Sequence, residues 1–161
     1  MPFRVILSQV IFFAFGLSSV FAQVDVIGEQ NFLIIQNNNE INLPYFSNQS
    51  LDSPNESVLK AVIVIHGANR NADDYYNSIY NNAFDLDVVS ETIIVAPQFL
   101  ITADLNHWQP STEYVFWSST TPWSSGGLSR STSEHPRDYE ISSYTVMDSL
   151  IAHLLTSYPN I

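Results

Sequence analysis

The sequence predicts an α/β domain in which a β-hairpin precedes a strand–helix–strand unit, a long loop and a final helix. Three observations lead to this fold class. Two short apolar runs flank a polar turn near residue 38, and two β-branched runs enclose a helical segment. Residues 141–158 then repeat apolar side chains at three- and four-residue steps. The chain has 161 residues, a length that suits one domain with a sizeable core.

Residues 1–22 have the features of a secretory signal peptide. A positive charge at Arg4 precedes the apolar residues 5–15, and a cleavage pattern ends at Ala22. The alternative is an uncleaved membrane anchor, but polar and glycine residues interrupt the stretch of about 20 apolar residues that a spanning helix needs. We therefore expect a secreted, extracellular protein with a folded domain over residues 23–161 and no stable membrane insertion.

The first predicted elements form a hairpin. Apolar β-rich runs cover residues 31–35 and 41–46, and the polar residues between them suit a turn. Pro44 has no N–H to donate, so we expect it to place the second strand at a sheet edge or a bulge. Residues 48–57 are rich in Asn, Ser, Asp and Pro and are expected to form a loop.

A parallel strand–helix–strand unit follows the loop. Residues 60–65 and 91–97 are apolar and β-branched without alternation, as in strands that helices cover on both faces. Between them we expect a helix over residues 71–86, capped by its first residue, with Tyr75, Ile79 and, as a further candidate, Tyr76 on its inner face. The connection between the two strands is expected to be right-handed.

Residues 99–138 lack periodicity and are expected to be irregular. A segment this long inside a compact domain is usually functional or mobile. Its three tryptophans either line a substrate pocket or pin the loop to the sheet, and the sequence favours neither alternative: Trp108, Trp117 and Trp123. Helical periodicity returns over residues 141–158, and Pro159 marks the end of that helix.

The composition is acidic and contains no cysteine. The formal charge of −11 becomes −12 when Arg4 is removed with the signal peptide. The acidic residues are scattered, which indicates a solvated surface and argues against nucleic acid and anionic membranes as partners. Without disulfides, burial must stabilise the domain. Two Asn-x-Ser sequons, at Asn48 and Asn55, can carry sugar in a eukaryotic host.

The segment His66-Gly67-Ala68-Asn69-Arg70-Asn71, directly after a predicted strand, resembles the His-Gly-x oxyanion loop of α/β-hydrolases. Its continuation through Tyr75-Tyr76 is similar to a secreted lipase- or esterase-like subgroup. Later segments follow in the order of that family: Ile94-Val-Ala-Pro-Gln98, Trp117-Ser, Trp123-Ser-Ser-Gly-Gly and the helix over residues 142–160. The resemblance implies the N-terminal half of an α/β-hydrolase sheet of strand order 1-2-4-3-5, truncated before the strand that carries the nucleophile.

The resemblance also implies a role for each residue of this loop. Acyl transfer passes through a tetrahedral oxyanion, and the backbone N–H of Ala68 is the implied donor to it. Gly67 has no Cβ and permits a sharp turn and close approach to the substrate. His66 is implied to support the loop, because the catalytic histidine of related enzymes follows the serine and the acid in the chain. The alternative is a plain strand-to-helix turn that contains a glycine.

Two further residues are candidates for contact with a substrate. Gln98 lies at the carboxyl end of its predicted strand, where open α/β sheets bind ligands. Trp123 belongs to the insertion that often lines the pocket of hydrolases. No Gly-x-Ser-x-Gly occurs, and the nearest segment, residues 127–131, lacks both the second glycine and a preceding strand. The other three histidines lack the spacing of a metal site, so we expect neither a metal nor a cofactor.

The predicted function is therefore the N-terminal part of a secreted serine hydrolase of carboxylic esters or amides. This part contributes the oxyanion loop, lacks the Ser/acid/His triad and is expected to be inactive alone. The full-length protein is expected to take a small-molecule or lipid-like ester. One alternative is a non-catalytic, secreted acidic glycoprotein that uses a hydrolase-like scaffold for binding, and another is a gene fragment without a function of its own.

Overall fold

The computed structural model describes residues 23–53 and 55–161, and these form a mixed α/β domain. The predicted signal peptide lies outside the described residues. Four strands build the main sheet: β1 (Gln30–Gln36), β2 (Asn39–Ser47), β3 (Lys60–Ile63) and β4 (Thr92–Pro97). Two short strands build a second sheet: β5 (Leu100–Ile101) and β6 (Phe116–Trp117). Three α-helices accompany them: α1 (Ala72–Asp85), α2 (Thr102–Trp108) and α3 (Ser143–Ser157).

The main sheet has the order β1-β2-β4-β3, the expected order of the first four strands. β2 is antiparallel to both of its neighbours, whereas β3 and β4 are parallel. The predicted hairpin is confirmed, and its tight turn places Asn37 and Asn38 at φ angles of 50° and 65°, which asparagine tolerates better than most residues. The edge position expected from Pro44 is wrong. β2 is an interior strand, and it pairs with β4 only over Tyr45 to Ser47, so Pro44 removes no bond to β4.

Helices cover the sheet on both faces. The main core lies between the sheet and α3, which buries Val146, Leu150 and Leu154 against β1, β2 and β4. α1 packs on the opposite face, against β4 and β2, where the rings of Phe46 and Tyr76 stack with centroids 6.5 Å apart. β4 is consequently buried along its whole length, as its β-branched sequence predicts. Among the described residues, no helix combines the length and the apolar character required to cross a membrane.

β3 lies at one edge of the sheet, and here the prediction of full burial is wrong. Within the described part of the chain it pairs with β4 alone. Val62 therefore remains 36% exposed, and Ile65, just after the strand, remains 38% exposed. A β-branched run makes a strand suitable for burial, but burial itself requires neighbours on both sides. The sheet thus presents a free apolar edge directly before the His66–Gly67 loop.

α1 occupies the predicted helical segment, but its cap and inner face differ from the expectation. Asn71 stands at the N-cap, yet its side chain donates to the Asp74 carboxylate and caps no backbone N–H. The buried residues of the helix are Ala72 and Ala83, whereas Tyr75 is 38% exposed. Small side chains let the helix approach the sheet closely, and Tyr76, the further candidate for the inner face, is partly buried where it stacks on Phe46.

The segment 99–138 is more regular than its sequence suggests. β5 and α2 follow β4 almost directly, β6 returns to pair with β5, and a 3-10 turn covers Trp123–Ser125. This segment builds a second apolar core together with the first residues of the described chain: Val24, Leu100, Leu105, Tyr114 and Phe116. Strands of two residues are too short to produce a readable period, which is why the pattern did not predict them.

Candidate functional site

A cavity of about 780 Å³ lies between the loop that follows β3, the start of α2 and the loop that follows β6. Gly67 and Ala68 line one side of it, and Pro122 and Trp123 line another. This volume is in the range of small-molecule sites in proteins. Of the described residues that line the cavity, Arg70 alone carries a charge.

The loop after β3 places the backbone of Gly67 and Ala68 in a defined orientation. The carbonyl oxygen of Gly67 accepts two hydrogen bonds, from the His66 ring Nδ1 at 2.9 Å and from the Arg70 N–H at 3.0 Å. In a planar trans peptide the N–H points opposite to the C=O, so the Ala68 N–H is directed away from both donors. No described residue accepts a hydrogen bond from that N–H. A residue of the cavity wall, Ala68, therefore has a backbone donor without an acceptor among the described residues.

His66 is buried, and both of its ring nitrogens are engaged. Its Nε2 accepts the backbone N–H of Phe99 at 2.9 Å, so the ring proton must lie on Nδ1, from which it is donated to the Gly67 carbonyl. Burial lowers the pKa of His66 to about 4, and the nearby Arg70 guanidinium acts in the same direction. A neutral ring with no free nitrogen cannot act as a general base. These contacts join the His66 ring to the loop and to the residue that follows Gln98.

Arg70 forms a buried ion pair with Asp104 beneath the loop. Its Nε and Nη2 donate to the two carboxylate oxygens at 2.8 and 3.1 Å, and the two side chains are 4% and 0% exposed. A third donor, Nη1, reaches the carbonyl oxygen of Ala68 at 2.8 Å. Asp104 also accepts the backbone N–H groups of Val24 and Ile101. The pair thus ties the loop to α2 and to the first residues of the described chain.

Gln98, which the sequence suggested as a substrate contact, is not among the residues that line the cavity. Its side chain is fully buried and serves the backbone of three other segments. Oε1 accepts the N–H of Gly28 at 3.0 Å, and Nε2 donates to the carbonyls of Val26 and Arg70 at 2.9 and 3.0 Å. Its position at the carboxyl end of β4 suggested a ligand contact, but the N-terminal segment and the loop occupy that place.

The three tryptophans have different roles. Trp123 lines the cavity, stacks on Phe99 at 5.0 Å between ring centroids and meets the His66 ring edge-on at 4.7 Å. Trp117 is fully buried and donates to the Gly127 carbonyl at 2.8 Å, so it pins the loop to the domain. Trp108 donates to the carbonyl of Val24. Both alternatives for the aromatic segment therefore occur, at different residues.

Gly67 begins a turn that its carbonyl oxygen closes by accepting the Arg70 N–H at 3.0 Å. The left-handed residue of the loop is Arg70, with φ of 59°, and Gly67 has no such angle. A Cβ added at Gly67 would lie 2.9 Å from the hydroxyl of Tyr75, so close packing is what favours glycine at this position. The left-handed conformation of Arg70 is stabilised by the hydrogen bonds of its guanidinium group and by the bond from the Gln98 side chain to the Arg70 carbonyl.

The two sequons differ in how firmly their asparagines are bound. The Asn48 amide bridges two backbone groups of β4, because Nδ2 donates to Thr92 O and Oδ1 accepts Ile94 N–H, both at 2.9 Å. Asn55 accepts the N–H of Ser57, and its Nδ2 reaches the side chain of Gln49 at 3.3 Å. The side chain of Asn48 thus continues the pairing of β2 with β4, whereas that of Asn55 stays within its own loop.

Arg70 and Asp104 are the site residues that sequence reasoning missed. Arg70 belongs to the loop after β3, where the sequence suggested no role for it, and Asp104 belongs to a segment that was expected to be irregular. One signal for Arg70 was present, since the chain has only five Lys and Arg residues and this one directly follows an apolar strand. A basic residue at such a position is buried only if an acid pairs with it, which would have directed attention to an aspartate or glutamate nearby.

The described residues contain no triad. None of the hydrogen bonds among them joins a serine hydroxyl to a histidine ring, although Ser118, Ser119 and Ser124 line the cavity. The same part of the chain holds no group of three or more His, Asp or Glu side chains that could bind a metal. Comparisons with the profiles of known protein families, with curated proteins and with solved structures gave no significant match.

Proposed function

We propose that this chain is the oxyanion part of a secreted serine hydrolase of the α/β-hydrolase type, acting on carboxylic esters or amides. The observation that carries the proposal is the Ala68 N–H. It stands on the wall of a cavity, has no acceptor among the described residues and points away from a carbonyl that two donors hold. A donor fixed before the substrate arrives is what a developing oxyanion requires, because its orientation costs no reorganisation during the reaction.

The topology supports the same proposal. The order β1-β2-β4-β3 coincides with the first four strands of the order 1-2-4-3-5 that the resemblance implies. In that arrangement a further parallel strand lies beyond β3, on the edge that is free here. We place the nucleophilic serine at the end of such a strand, next to Ala68, and the acid and the histidine outside the described residues as well.

The chemistry of the cavity indicates which substrates fit. Its charged lining residue, Arg70, is already neutralised by Asp104, so the wall offers no free charge to bind an ionic group. Trp123, Pro122 and Ile101 offer apolar surface, and hydroxyl groups of serine and threonine are interspersed. An uncharged ester with an aliphatic or aromatic group suits this lining better than a charged substrate does.

A titration with an oxyanion mimic tests the proposal. The probe is the monoanion of an alkylphosphonate monoester, whose tetrahedral oxygens resemble those of the reaction intermediate. We expect the amide resonance of Ala68 to move as the probe binds, and Ala68→Pro, which lacks the N–H, to weaken binding about tenfold. If the amide resonance of Ala68 does not shift when the probe is added, the oxyanion role is refuted.

The leading alternative is a non-catalytic binding protein built on the same scaffold. The absence of a Ser–His pair among the described residues favours it. This alternative predicts that an uncharged ester binds the cavity without any preference for the phosphonate and without a shift of the Ala68 amide. Under our proposal the chain alone should also leave nitrophenyl butyrate unhydrolysed, and turnover by it would contradict our placement of the nucleophile.

A further inference from the structure

The loop carries two carbonyl groups beside the candidate oxyanion donor, and both must point away from the developing negative charge. The Gly67 carbonyl lies in the same peptide as the Ala68 N–H, and the Ala68 carbonyl lies in the next peptide. If either peptide rotated by a half turn, a carbonyl oxygen would replace a donor or repel the oxyanion. The orientation of both peptides is therefore a requirement of the proposed function.

One residue binds both of these carbonyls. The backbone N–H of Arg70 donates to Gly67 O at 3.0 Å, and its side-chain Nη1 donates to Ala68 O at 2.8 Å. The remaining donors Nε and Nη2 form a fork on Asp104 with both partners almost fully buried. We propose that Arg70 is a positioning residue that fixes the two peptides around Ala68 so that the N–H faces the ligand, with Asp104 holding Arg70 in turn.

The choice of arginine follows from this geometry. A guanidinium is planar and has five N–H donors, so it can bind a carboxylate with one edge and a carbonyl with another. A lysine ammonium at the same place keeps the charge, but it cannot supply a fork and a separate donor in one rigid plane. Asp104 also connects Arg70 to the N-terminal segment and to the start of α2, because its carboxylate accepts the N–H groups of Val24 and Ile101.

This inference rests on the proposed function, and Arg70→Lys tests it. The variant keeps the positive charge beside Asp104 while removing the bond to the Ala68 carbonyl. We expect N–H dipolar couplings of Ala68 and Asn69 to change in the free protein, and affinity for the alkylphosphonate monoester to fall about tenfold. Unchanged couplings and an affinity within about twofold of the wild-type value would overturn the proposal. A twofold change in affinity is much smaller than the change expected from the loss of one charge-assisted hydrogen bond.

Arg137→Lys is the matched control. Arg137 also donates from two guanidinium nitrogens to a backbone carbonyl, that of Tyr114, at 3.2 and 2.9 Å. It lies outside the lining of the large cavity. We expect this variant to retain the affinity for the phosphonate and the Ala68 couplings. Equal losses in both variants would show that arginine replacement loosens the whole domain, which would overturn a specific role for Arg70.

A measurement on the wild-type protein covers the case in which Arg70→Lys does not fold. Scalar coupling across a hydrogen bond between Arg70 Nη1 and the Ala68 carbonyl carbon is expected, and its absence would overturn the inference. The failure of the proposed function has a different signature. In that case the wild-type Ala68 amide ignores the phosphonate, while the dipolar couplings of the free protein still respond to Arg70→Lys.

Discussion

The pKa of His66 predicts how the stability of the domain depends on pH. It is about 4 in the folded protein against 6.5 for the unperturbed group, chiefly because burial disfavours the charged ring. The bond to the Gly67 carbonyl and the nearby Asp104 oppose this shift, and Arg70 reinforces it. The unfolded chain therefore binds a proton at a higher pH than the folded chain does. Stability from this residue is complete above pH 6.5 and is lost as pH falls toward 4.

The size of the effect follows from the shift. One pKa unit corresponds to about 1.4 kcal/mol, so the shift of the His66 pKa from 6.5 to about 4 is worth roughly 3 kcal/mol, most of which is lost between about pH 7.5 and about pH 4.5. His66→Gln removes the titration and retains an amide group that can accept the Phe99 N–H. The wild-type protein should therefore lose roughly 2 to 3 kcal/mol more than this variant over that interval.

Urea unfolding followed by far-UV circular dichroism at the two pH values measures this difference. Carboxylates that titrate in the same interval contribute equally to both proteins, so the variant serves as its own control for them. The His66 ring tautomer is measured independently from its nitrogen chemical shifts. Equal pH dependence in the two proteins would refute the lowered pKa of His66, and a proton on Nε2 at neutral pH would refute the assignment of its two hydrogen bonds.

Three further predictions concern packing and the sequons. Trp123→Ala removes the stacking on Phe99 and should lower the free energy of unfolding by about 2 kcal/mol. The same variant should bind an uncharged aromatic ester more weakly in calorimetry, and unchanged binding would contradict the assignment of the cavity as the binding site. Gly67→Ala should lower the free energy of unfolding by less than about 1 kcal/mol, since only the tip of the Tyr75 side chain must move. Gly127→Ala should lower it by about 2 kcal/mol or more, because the added Cβ would lie 2.6 Å from the Thr121 backbone. If denaturant unfolding gives the reverse order, the packing described for the two glycines is wrong. In protein secreted from eukaryotic cells, mass spectrometry should find sugar on Asn55 and not on Asn48, because the amide nitrogen of Asn48 donates to the backbone of β4. Full glycosylation of Asn48 would contradict this hydrogen bond.

The elements with a clear local period were predictable from the sequence. The hairpin, β4 and α3 appear where their apolar patterns placed them, because those patterns directly encode which face of an element is buried. The exposure of β3 does not follow from its local pattern, but it agrees with the strand order 1-2-4-3-5 that the resemblance implies, in which a fifth strand lies beyond β3. Its β-branched residues show what the strand can tolerate, whereas its burial depends on whether a neighbour is present.

The site was predictable only in part, for a related physical reason. The loop residues Gly67 and Ala68 could be found because they are contiguous in the sequence. The contacts that orient them join residues far apart: Arg70 with Asp104 over 34 positions, and Gln98 with Gly28 over 70. A single sequence contains no signal that pairs two polar residues across such distances. Gln98 was consequently assigned to a ligand, while it binds the backbone.

The chemistry of the loop depends more on which groups are already satisfied than on which groups are present. His66, Arg70 and Gln98 are polar side chains in or beside the loop, and each is bonded to a backbone group of the loop or its neighbours. The Ala68 N–H remains without a partner among the described residues because the carbonyls on either side of it have theirs. Under the proposed function, a substitution that frees either carbonyl should weaken binding of the alkylphosphonate monoester, even where the new side chain never touches the ligand.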